Sequence, residues 1–408
     1  MTDVQATIGG VSGFKVAGVA CGIKRSGKRD LALIASEGPC TAAGVFTTNR
    51  VKAAPVLFDQ AQLAKNAAGI RAVVTNSGVA NACTGAQGMA DAEATAVSTA
   101  KVLGCAPQDV LVLSTGVIGV PLPMDTLKRG IAAAAAALQP DGWADVAQAI
   151  MTTDTRPKLA AIRVETASGM VTIAGVAKGS GMIAPNMATM LAVIVTDAVL
   201  DAPLLQESLR AANGVSFNQI VVDGDMSTND TVLLLANGVS GVQVTAGESL
   251  AAFQDGLTAV CTALAKDIVK DGEGMTRFIT LRVTGAPDAD AARQVAMTIA
   301  TSPLVKTAFY GGDANWGRIL AAAGRAGVPL EADRLALWFA PGEDNPADGL
   351  QLVAGGAPTD YREEDAAAIM AEGAVSVRLD LGLGDAASTV WTCDLSHEYV
   401  TINGHYRT

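Results

Sequence analysis

The 408-residue sequence predicts a layered α/β (α+β) protein in which a sandwich of sheets is flanked by helices. Short apolar, β-branched segments recur along the chain and end in Ser, Thr, Asn, Asp or Gly, as strands do where they enter turns. Longer segments with apolar residues at helical spacing lie between them. Because 50% of the residues are hydrophobic and only 4% are aromatic, we expect a globular core of small aliphatic side chains.

Each element follows from one of these segments. Strands are predicted over residues 30–36, 71–78, 109–116, 160–166, 170–177, 190–197, 219–225, 231–238 and 277–285. Helices are predicted over residues 89–104, 124–139, 201–214, 248–272 and 290–305. In the third helix Asp201 is the expected N-cap and Gly214 the expected end. Residues 375–404 are typical of a hairpin that turns near Gly382, and residues 340–360 of an exposed loop.

Composition excludes several classes of function. A formal charge of -11 argues against nucleic acid or an anionic membrane as a partner, since both bind basic surfaces. The N-terminus carries Asp3 and has no basic residue before Lys15, unlike a secretory signal, and no apolar run reaches the ~18 residues of a spanning helix, so a cytoplasmic protein is expected. The six cysteines form no CxxC pair and are expected to be buried free thiols. With only His397 and His405 available, a histidine-based zinc site is excluded, and we expect neither metal nor cofactor.

The segment KGSGMIAPNMATML, residues 178–191, raises a question of chemistry. Small residues lead up to Thr189, which opens an apolar strand. Such a threonine is usually a strand-edge hydroxyl bonded to the backbone. With few histidines to act as a base, however, an N-terminal threonine is an alternative, because its own α-amine has a pKa near 8. Thr189 would then first attack the Ala188 carbonyl and cut its own chain.

These residues resemble the ornithine acetyltransferase (glutamate N-acetyltransferase) family of arginine biosynthesis. The resemblance covers nearly the whole chain through FTTNR (46–50), TNSGVANACTG (75–85), STGVIG (114–119), TTDT (152–155), SFNQIVVDGDMSTNDT (216–231), KDGEGMT (270–276), GGDANWGRI (311–319) and TINGHYRT (401–408). It implies a fold similar to that of N-terminal-nucleophile hydrolases but distinct from it. It also implies autocatalytic cleavage between Ala188 and Thr189, giving an α chain of residues 1–188 and a β chain of residues 189–408 that stay together as an α2β2 assembly.

The resemblance further implies a ping-pong reaction in which Thr189 takes the acetyl group of N-acetylornithine and passes it to glutamate. It places Thr115 and Gly116 as donors to the oxyanion, a role that agrees with a strand ending in Ser-Thr-Gly, although such an end is more often a simple turn. The residues that it assigns to substrate binding are Thr152, Lys178, Thr189, Glu273, Asn403 and Thr408. We expect Lys178 to meet the α-carboxylate, Thr152 and Asn403 to add hydrogen bonds, and Glu273 to meet an amino group.

Each of these residues also has a purely structural alternative. Lys178 could be a solvated charge at a strand end, Glu273 an ordinary loop acid and Thr408 a frayed terminus. Residues 216–231 are rich in Asp and Asn but lack calcium-loop spacing, so they are expected to form a hydrogen-bonded strand connection.

Three functions therefore stay open from the sequence. The first is the acetyltransferase. The family includes both members restricted to N-acetylornithine and members that also use acetyl-CoA as a substrate. The second is an amidase or aminopeptidase that uses the same nucleophile, like the related β-aminopeptidases, although those relatives have serine where this chain has Thr189. The third is a non-catalytic binding or assembly protein in which Thr189 only packs.

Overall fold

The structure is a computed structural model that describes residues 3–184, 190–343 and 349–405. The chain divides into two compact units. The first unit comprises Met1–Asn218 and Asp225–Ile268, and the second comprises Gln219–Gly224 and Val269–Thr408. The predicted cleavage point at Ala188–Thr189 therefore lies within the sequence of the first unit and does not coincide with the boundary between the units.

The first unit alternates strands and helices as the sequence predicts. Its strands are β1 (Phe14–Val19), β2 (Leu31–Phe46), β3 (Ile70–Val79), β4 (Val110–Val117), β5 (Lys158–Thr166), β6 (Gly169–Lys178), β7 (Leu191–Thr196) and β8 (Thr231–Ala236). Its helices are α1 (Ala54–Asn66), α2 (Gly85–Leu103), α3 (Met124–Ala136), α4 (Trp143–Ile150), α5 (Ala202–Gly214) and α6 (Glu248–Val269). The Asp201 side chain accepts from Leu204 N, which confirms the predicted N-cap of α5.

A single long strand, β2, joins the two halves of the sheet in this unit. The strand order is β4-β3-β2-β8-β7-β6-β5, with β1 also paired to β2. Residues 31–40 of β2 pair with β3, whereas residues 41–46 pair with β8, and the register with β3 shifts between Ala35 and Cys40. Both halves contribute to one core, in which Trp143 of α4 packs with Val73 of β3 and Val193 of β7. The sheet therefore forms two layers with α4 between them.

Helices built from small residues cover the outer faces of these layers. Alanines of α2 and the apolar face of α3 pack on β2, β3 and β4. On the other layer α6 approaches β5 closely, since a Cβ at Gly256 would lie 2.4 Å from Val164 Cγ2. The alanine- and glycine-rich composition thus permits close contact between helix and sheet, as the sequence predicts.

The second unit contains a six-stranded sheet in the order β12-β11-β10-β13-β9-β14. These strands are β9 (Phe278–Ala286), β10 (Ala336–Pro341), β11 (Leu350–Ala354), β12 (Ala357–Pro358), β13 (Ala374–Asp380) and β14 (Ala386–Cys393). The helices are α7 (Ala289–Ala300), α8 (Pro303–Gly311), α9 (Trp316–Gly324), α10 (Glu363–Met370) and α11 (His397–Gly404). Apolar residues of α7, α9 and α10 share one core with the central strands.

The predicted C-terminal hairpin is wrong. Strands β13 and β14 do not pair with each other, because β9 lies between them, parallel to β13 and antiparallel to β14. The connecting residues cross the end of β9, where the amides of Leu383 and Gly384 donate to the Gly285 carbonyl. Short strands of similar composition do not reveal from sequence which neighbour they pair with.

Three other local predictions are also wrong. Residues 219–225 form no strand and make one isolated bridge, from Ile220 to Trp391. The predicted helix 290–305 is broken at Ser302, because a residue before proline avoids the helical region and Pro303 starts a new helix. The predicted loop 340–360 contains β11 and β12.

The cysteines only partly follow the prediction of buried thiols. Three are buried, Cys21 and Cys105 are half-buried, and Cys83 is exposed. Among the residues that the structure describes, no helix combines the length and the apolar character needed to span a lipid bilayer.

Candidate active site

The residue after Thr189 is fixed at the start of two buried parallel strands. Leu191 of β7 pairs with Thr231 of β8, and every residue of both strands is buried. One step earlier, the amide of Met190 donates to Asp230 Oδ1 at 2.9 Å, and the amide of Thr231 donates to the Met190 carbonyl at 3.2 Å. Ala188 and Thr189 themselves lie outside the described residues. The strand that follows the predicted nucleophile is thus anchored rigidly from its first described residue.

A buried cluster of three charges lies at the ends of β5 and β6. Asp154 Oδ1 is 2.7 Å from Lys158 Nζ, Asp154 Oδ2 is 3.9 Å from Lys178 Nζ, and no side chain of the three is more than 2% exposed. Burial alone would raise the pKa of Asp154, but the ammonium groups of Lys178 and Lys158 outweigh it and hold that pKa well below its usual value. Asp154 is therefore an ionised carboxylate between two buried cations, and Lys178 is not the solvated charge of the structural alternative.

Thr152 belongs to this cluster through its backbone. Its amide donates to Asp154 Oδ2 at 2.9 Å. Thr152 also lines a cavity of about 550 Å³ together with Lys24, Lys28 and Arg29. Lys24 donates to the carbonyls of Arg29 and Met151, and burial lowers its pKa to about 8, an effect that the nearby Asp30 and Asp154 oppose. Three of the four charged side chains that line the cavity are therefore basic; the fourth is Asp154, and Arg29 is paired with Asp145.

Thr115 and Gly116 lie at the end of β4, where the backbone takes a conformation that requires glycine. Ser77 and Gly78 of β3 are their partners across the sheet. Gly116 has φ +133°, and a Cβ there would lie 2.3 Å from the carbonyl carbon of Gly78. Thr115 is buried. The close approach of two strand ends thus explains the glycine of the Ser-Thr-Gly sequence.

Asn229 connects this strand end to the strand pair that holds Met190. Its Nδ2 donates to the carbonyls of Ser114 at 2.8 Å and Ala80 at 2.7 Å. Ser114 in turn donates from Oγ to Asn76 Oδ1 at 2.6 Å. Asn229 therefore holds Ser114, the residue before Thr115. Asp230, the next residue in the chain, holds Met190, the residue after Thr189.

The second unit brings two further predicted residues together. Asn403 on α11 donates from Nδ2 to Glu273 Oε2 at 2.7 Å. Glu273 precedes β9 and is 8% exposed, so it is not an ordinary surface loop acid. Its loop is fixed to α11 as well, because the Ser396 hydroxyl donates to the Gly274 carbonyl at 2.5 Å. Thr408 lies outside the described residues.

Comparison with known proteins identifies the family. The sequence pattern of the ArgJ family matches residues 15–408. The chain belongs to the ArgJ family. Two ArgJ relatives, each named arginine biosynthesis bifunctional protein ArgJ, come from Symbiobacterium thermophilum and Geobacter sulfurreducens. The first is 51% identical over 98% of this chain and 99% of its own, and the second is 50% identical over 98% of this chain and 100% of its own.

Solved ArgJ structures also match parts of the chain. The arginine biosynthesis bifunctional protein of Bacillus halodurans is 38% identical with a TM-score of 0.48, over 51% of this chain and 95% of that one. Ornithine acetyltransferase of Mycobacterium tuberculosis, solved with ornithine, is 47% identical with a TM-score of 0.42, over 45% of this chain and 98% of that one.

Sequence reasoning missed three residues of the site in this ArgJ member. Asp154, Asn229 and Asp230 all lie in segments that carried the family resemblance, but their partners are distant in sequence. The Asn-Asp pair immediately before the apolar run of strand β8 was the available signal, because a carboxylate at such a position must be buried with a partner. The predicted hydrogen-bonded connection is confirmed for residues 227–231.

Proposed function

We propose that this protein transfers the acetyl group of N-acetylornithine to glutamate in arginine biosynthesis, with Thr189 as the nucleophile. The observation that carries the proposal is the match to ArgJ relatives at about half identity over almost the entire chain. The contacts of the first unit support it, because Asp154 joins Thr152 to Lys178 and Asp230 anchors the residue that follows Thr189.

The reaction runs in two halves. The Thr189 hydroxyl oxygen attacks the acetyl carbonyl of N-acetylornithine, its proton passes to the free α-amine of Thr189, and the C–N bond breaks to release ornithine as the amine takes a proton. The glutamate amine then attacks the threonine ester, and the C–O bond breaks to give N-acetylglutamate and the free hydroxyl. Thr115 and Gly116 stabilise the tetrahedral oxyanion in both halves, with the positive φ of Gly116 at the end of β4 shaping their backbone.

The remaining predicted residues serve the two charged ends of an amino-acid substrate. We assign Lys178 to the α-carboxylate, with hydrogen bonds from Thr152 and Asn403, and Glu273 to an ammonium group. The ion pair with Asp154 at 3.9 Å holds the buried Lys178 side chain in place, and an ammonium group there can attract a carboxylate. We assign Thr408 to substrate binding on the family resemblance.

A second reaction, glutamate acetylation from acetyl-CoA, is favoured by the basic cavity beside Thr152. Lys24, Lys28 and Arg29 line it, and acetyl-CoA carries several phosphate charges that amino-acid donors lack. Because the chain as a whole has a net charge of -11, a local cationic wall of this kind attracts a polyanion selectively.

Pure protein given glutamate and acetyl-CoA without N-acetylornithine tests this second reaction. Lys28→Glu replaces an attraction of about 1 kcal/mol per charge pair in water at 4 Å by a repulsion of about the same size, so we expect the KM for acetyl-CoA to rise about 30-fold. The KM for N-acetylornithine should not change. Lys101→Glu, at an exposed position of helix α2, is the matched control. Absence of any acetyl-CoA reaction in wild type refutes the second reaction and leaves the first intact.

Denaturing electrophoresis and an exchange assay test the main proposal. We expect two chains of 188 and 408 − 188 = 220 residues from the wild type, and one 41.2 kDa chain from Thr189→Ala. Size-exclusion chromatography should show the cleaved chains together as an α2β2 assembly, and we propose a cytoplasmic location for it. Ornithine released without N-acetylglutamate formation identifies an amidase instead. A single wild-type band that matches Thr189→Ala identifies a non-catalytic protein.

A further inference from the structure

The carboxyl group of Asp230 has a chemical use that the transfer reaction does not require. It is completely buried at the start of β8. Oδ1 accepts the Met190 amide at 2.9 Å, whereas Oδ2 makes no well-formed hydrogen bond in the described parts of the chain, although the Ser227 and Thr47 hydroxyls interact with the carboxyl group. Leaving a buried carboxyl oxygen unsatisfied costs free energy, so its retention beside the predicted nucleophile points to a role.

The electrostatic surroundings make this carboxyl group a better base than a solvated one. Burial raises the pKa of Asp230 well above its ordinary value, and the Met190 amide, the Lys178 charge and the hydroxyls of Ser227 and Thr47 oppose only part of that rise. Lys178 is itself 3.9 Å from Asp154 on its other side. A carboxylate with a raised pKa holds an abstracted proton more strongly.

Self-cleavage needs a base that the mature enzyme does not. Before the cut, the nitrogen of Thr189 is a peptide amide and cannot accept a proton. The hydroxyl must nevertheless lose its proton to attack Ala188. Only the carbonyl carbon, Cα and Cβ of Thr189 separate the Met190 nitrogen from that hydroxyl oxygen along the chain, so the carboxyl group that accepts the Met190 amide is a candidate for the base.

We propose that Asp230 accepts the Thr189 hydroxyl proton during self-cleavage while it fixes the adjacent Met190 amide. The inference rests on the proposed cleavage at Ala188–Thr189. The Thr189 oxygen attacks the Ala188 carbonyl carbon, the C–N bond breaks, and Asp230 returns the proton to the departing nitrogen, which leaves an Ala188–Thr189 ester and a free amine. Water then attacks the ester, the C–O bond breaks, and the Thr189 hydroxyl and the Ala188 carboxyl form.

Asp59 provides a closely matched control. It is also completely buried, its Oδ1 accepts a strand amide, from Val112, at 2.8 Å, and its Oδ2 also lacks a partner. Burial likewise raises the pKa of Asp59 well above its ordinary value. The Asp59 carboxyl differs from that of Asp230 in being bonded to Val112 instead of Met190, so Asp59→Asn measures the general effect of neutralising such a group.

Cell-free synthesis of the full chain with a labelled pulse, followed by denaturing electrophoresis, measures the cleavage rate. Asp230→Asn keeps an oxygen for the Met190 amide but cannot take a proton, so we expect cleavage at least about 100-fold slower than in wild type. Asp59→Asn should cleave at the wild-type rate. Cleavage of Asp230→Asn at that rate overturns the inference. An uncut wild type instead overturns the proposed function.

Two readouts separate proton transfer from a structural role. The wild-type rate should rise with pH through the pKa of Asp230 and then level off, and Asp230→Asn should lack this rise. Hydroxylamine, which cleaves esters, should release the two chains faster from wild type but not from Asp230→Asn, because the ester does not form. Cleavage of an ester by hydroxylamine in Asp230→Asn refutes the role of Asp230 as a base. A wild-type cleavage rate that does not change from roughly pH 5 to 8 refutes it as well. If Asp230→Asn does not fold, Asp230→Glu and the wild-type pH profile decide the question.

Discussion

Replacing Asp154 by Asn tests whether the buried charge cluster stabilises the first unit. The carboxylate accepts from Lys158 Nζ at 2.7 Å, the Gly179 amide at 2.7 Å and the Thr152 amide at 2.9 Å. Removing its charge leaves Lys158 and Lys178, 1% and 2% exposed, without the anion between them. Breaking a buried ion pair in this way costs about 3–5 kcal/mol. At about 2–4 °C per kcal/mol, we expect Tm to fall by about 6–20 °C.

Urea unfolding followed by circular dichroism measures this loss, with a partly exposed pair as the control. Arg29 and Asp145 are 2.7 Å apart, but their side chains are 38% and 35% exposed. Water screens such a pair, so Asp145→Asn should change the free energy of unfolding by no more than about 1 kcal/mol. If Asp154→Asn is as stable as Asp145→Asn, the carboxylate does not hold the two lysines and our account of the cluster is wrong.

The difference in the free energy of unfolding between wild type and Asp154→Asn should depend on pH with a definite sign. The pKa of Asp154 is lower in the folded chain than the value of about 3.9 expected when unfolded. Its contribution to stability is therefore complete above about pH 4 and is lost as the pH falls through the folded pKa. The stability gap between wild type and Asp154→Asn should be constant near neutrality and narrow only in acid. A gap that widens on acidification contradicts the assignment of an ionised carboxylate.

Three further predictions concern the proposed catalytic residues. Thr115→Val keeps the side-chain shape but removes the hydroxyl, so kcat should fall about 100- to 1,000-fold in the acetyl-exchange assay, and a normal kcat would exclude the hydroxyl as an oxyanion donor. Gly116→Ala should prevent accumulation of soluble, cleaved protein, because the new Cβ would overlap neighbouring backbone. In the control Gly119→Ala, the residue has φ +79° but open space around it, so stability should fall only by about 1 kcal/mol. Glu273→Gln keeps an acceptor for Asn403 but loses the charge, so the KM for both substrates should rise about 10- to 100-fold while self-cleavage stays intact. Unchanged KM values would show that Glu273 does not bind substrate.

Local sequence patterns were sufficient for the identity of most elements. The apolar runs predicted β7 and β8, and Asp201 marked the start of α5, because burial and capping depend on residues close together in the chain. The scarcity of histidine favoured Thr189 as an N-terminal nucleophile, and the family resemblance assigned roles to the other residues of the site.

Pairing between distant segments was decided only by the tertiary structure. Whether β13 pairs with β14 or with β9, and whether Asp154 contacts Lys178, depends on registers set by the whole sheet. The contact between Asp230 and Met190 crosses 40 positions of sequence in the same way. The sequence by itself therefore determined which residues could do chemistry, while the fold determined which carboxyl group lies beside the residue that follows the nucleophile.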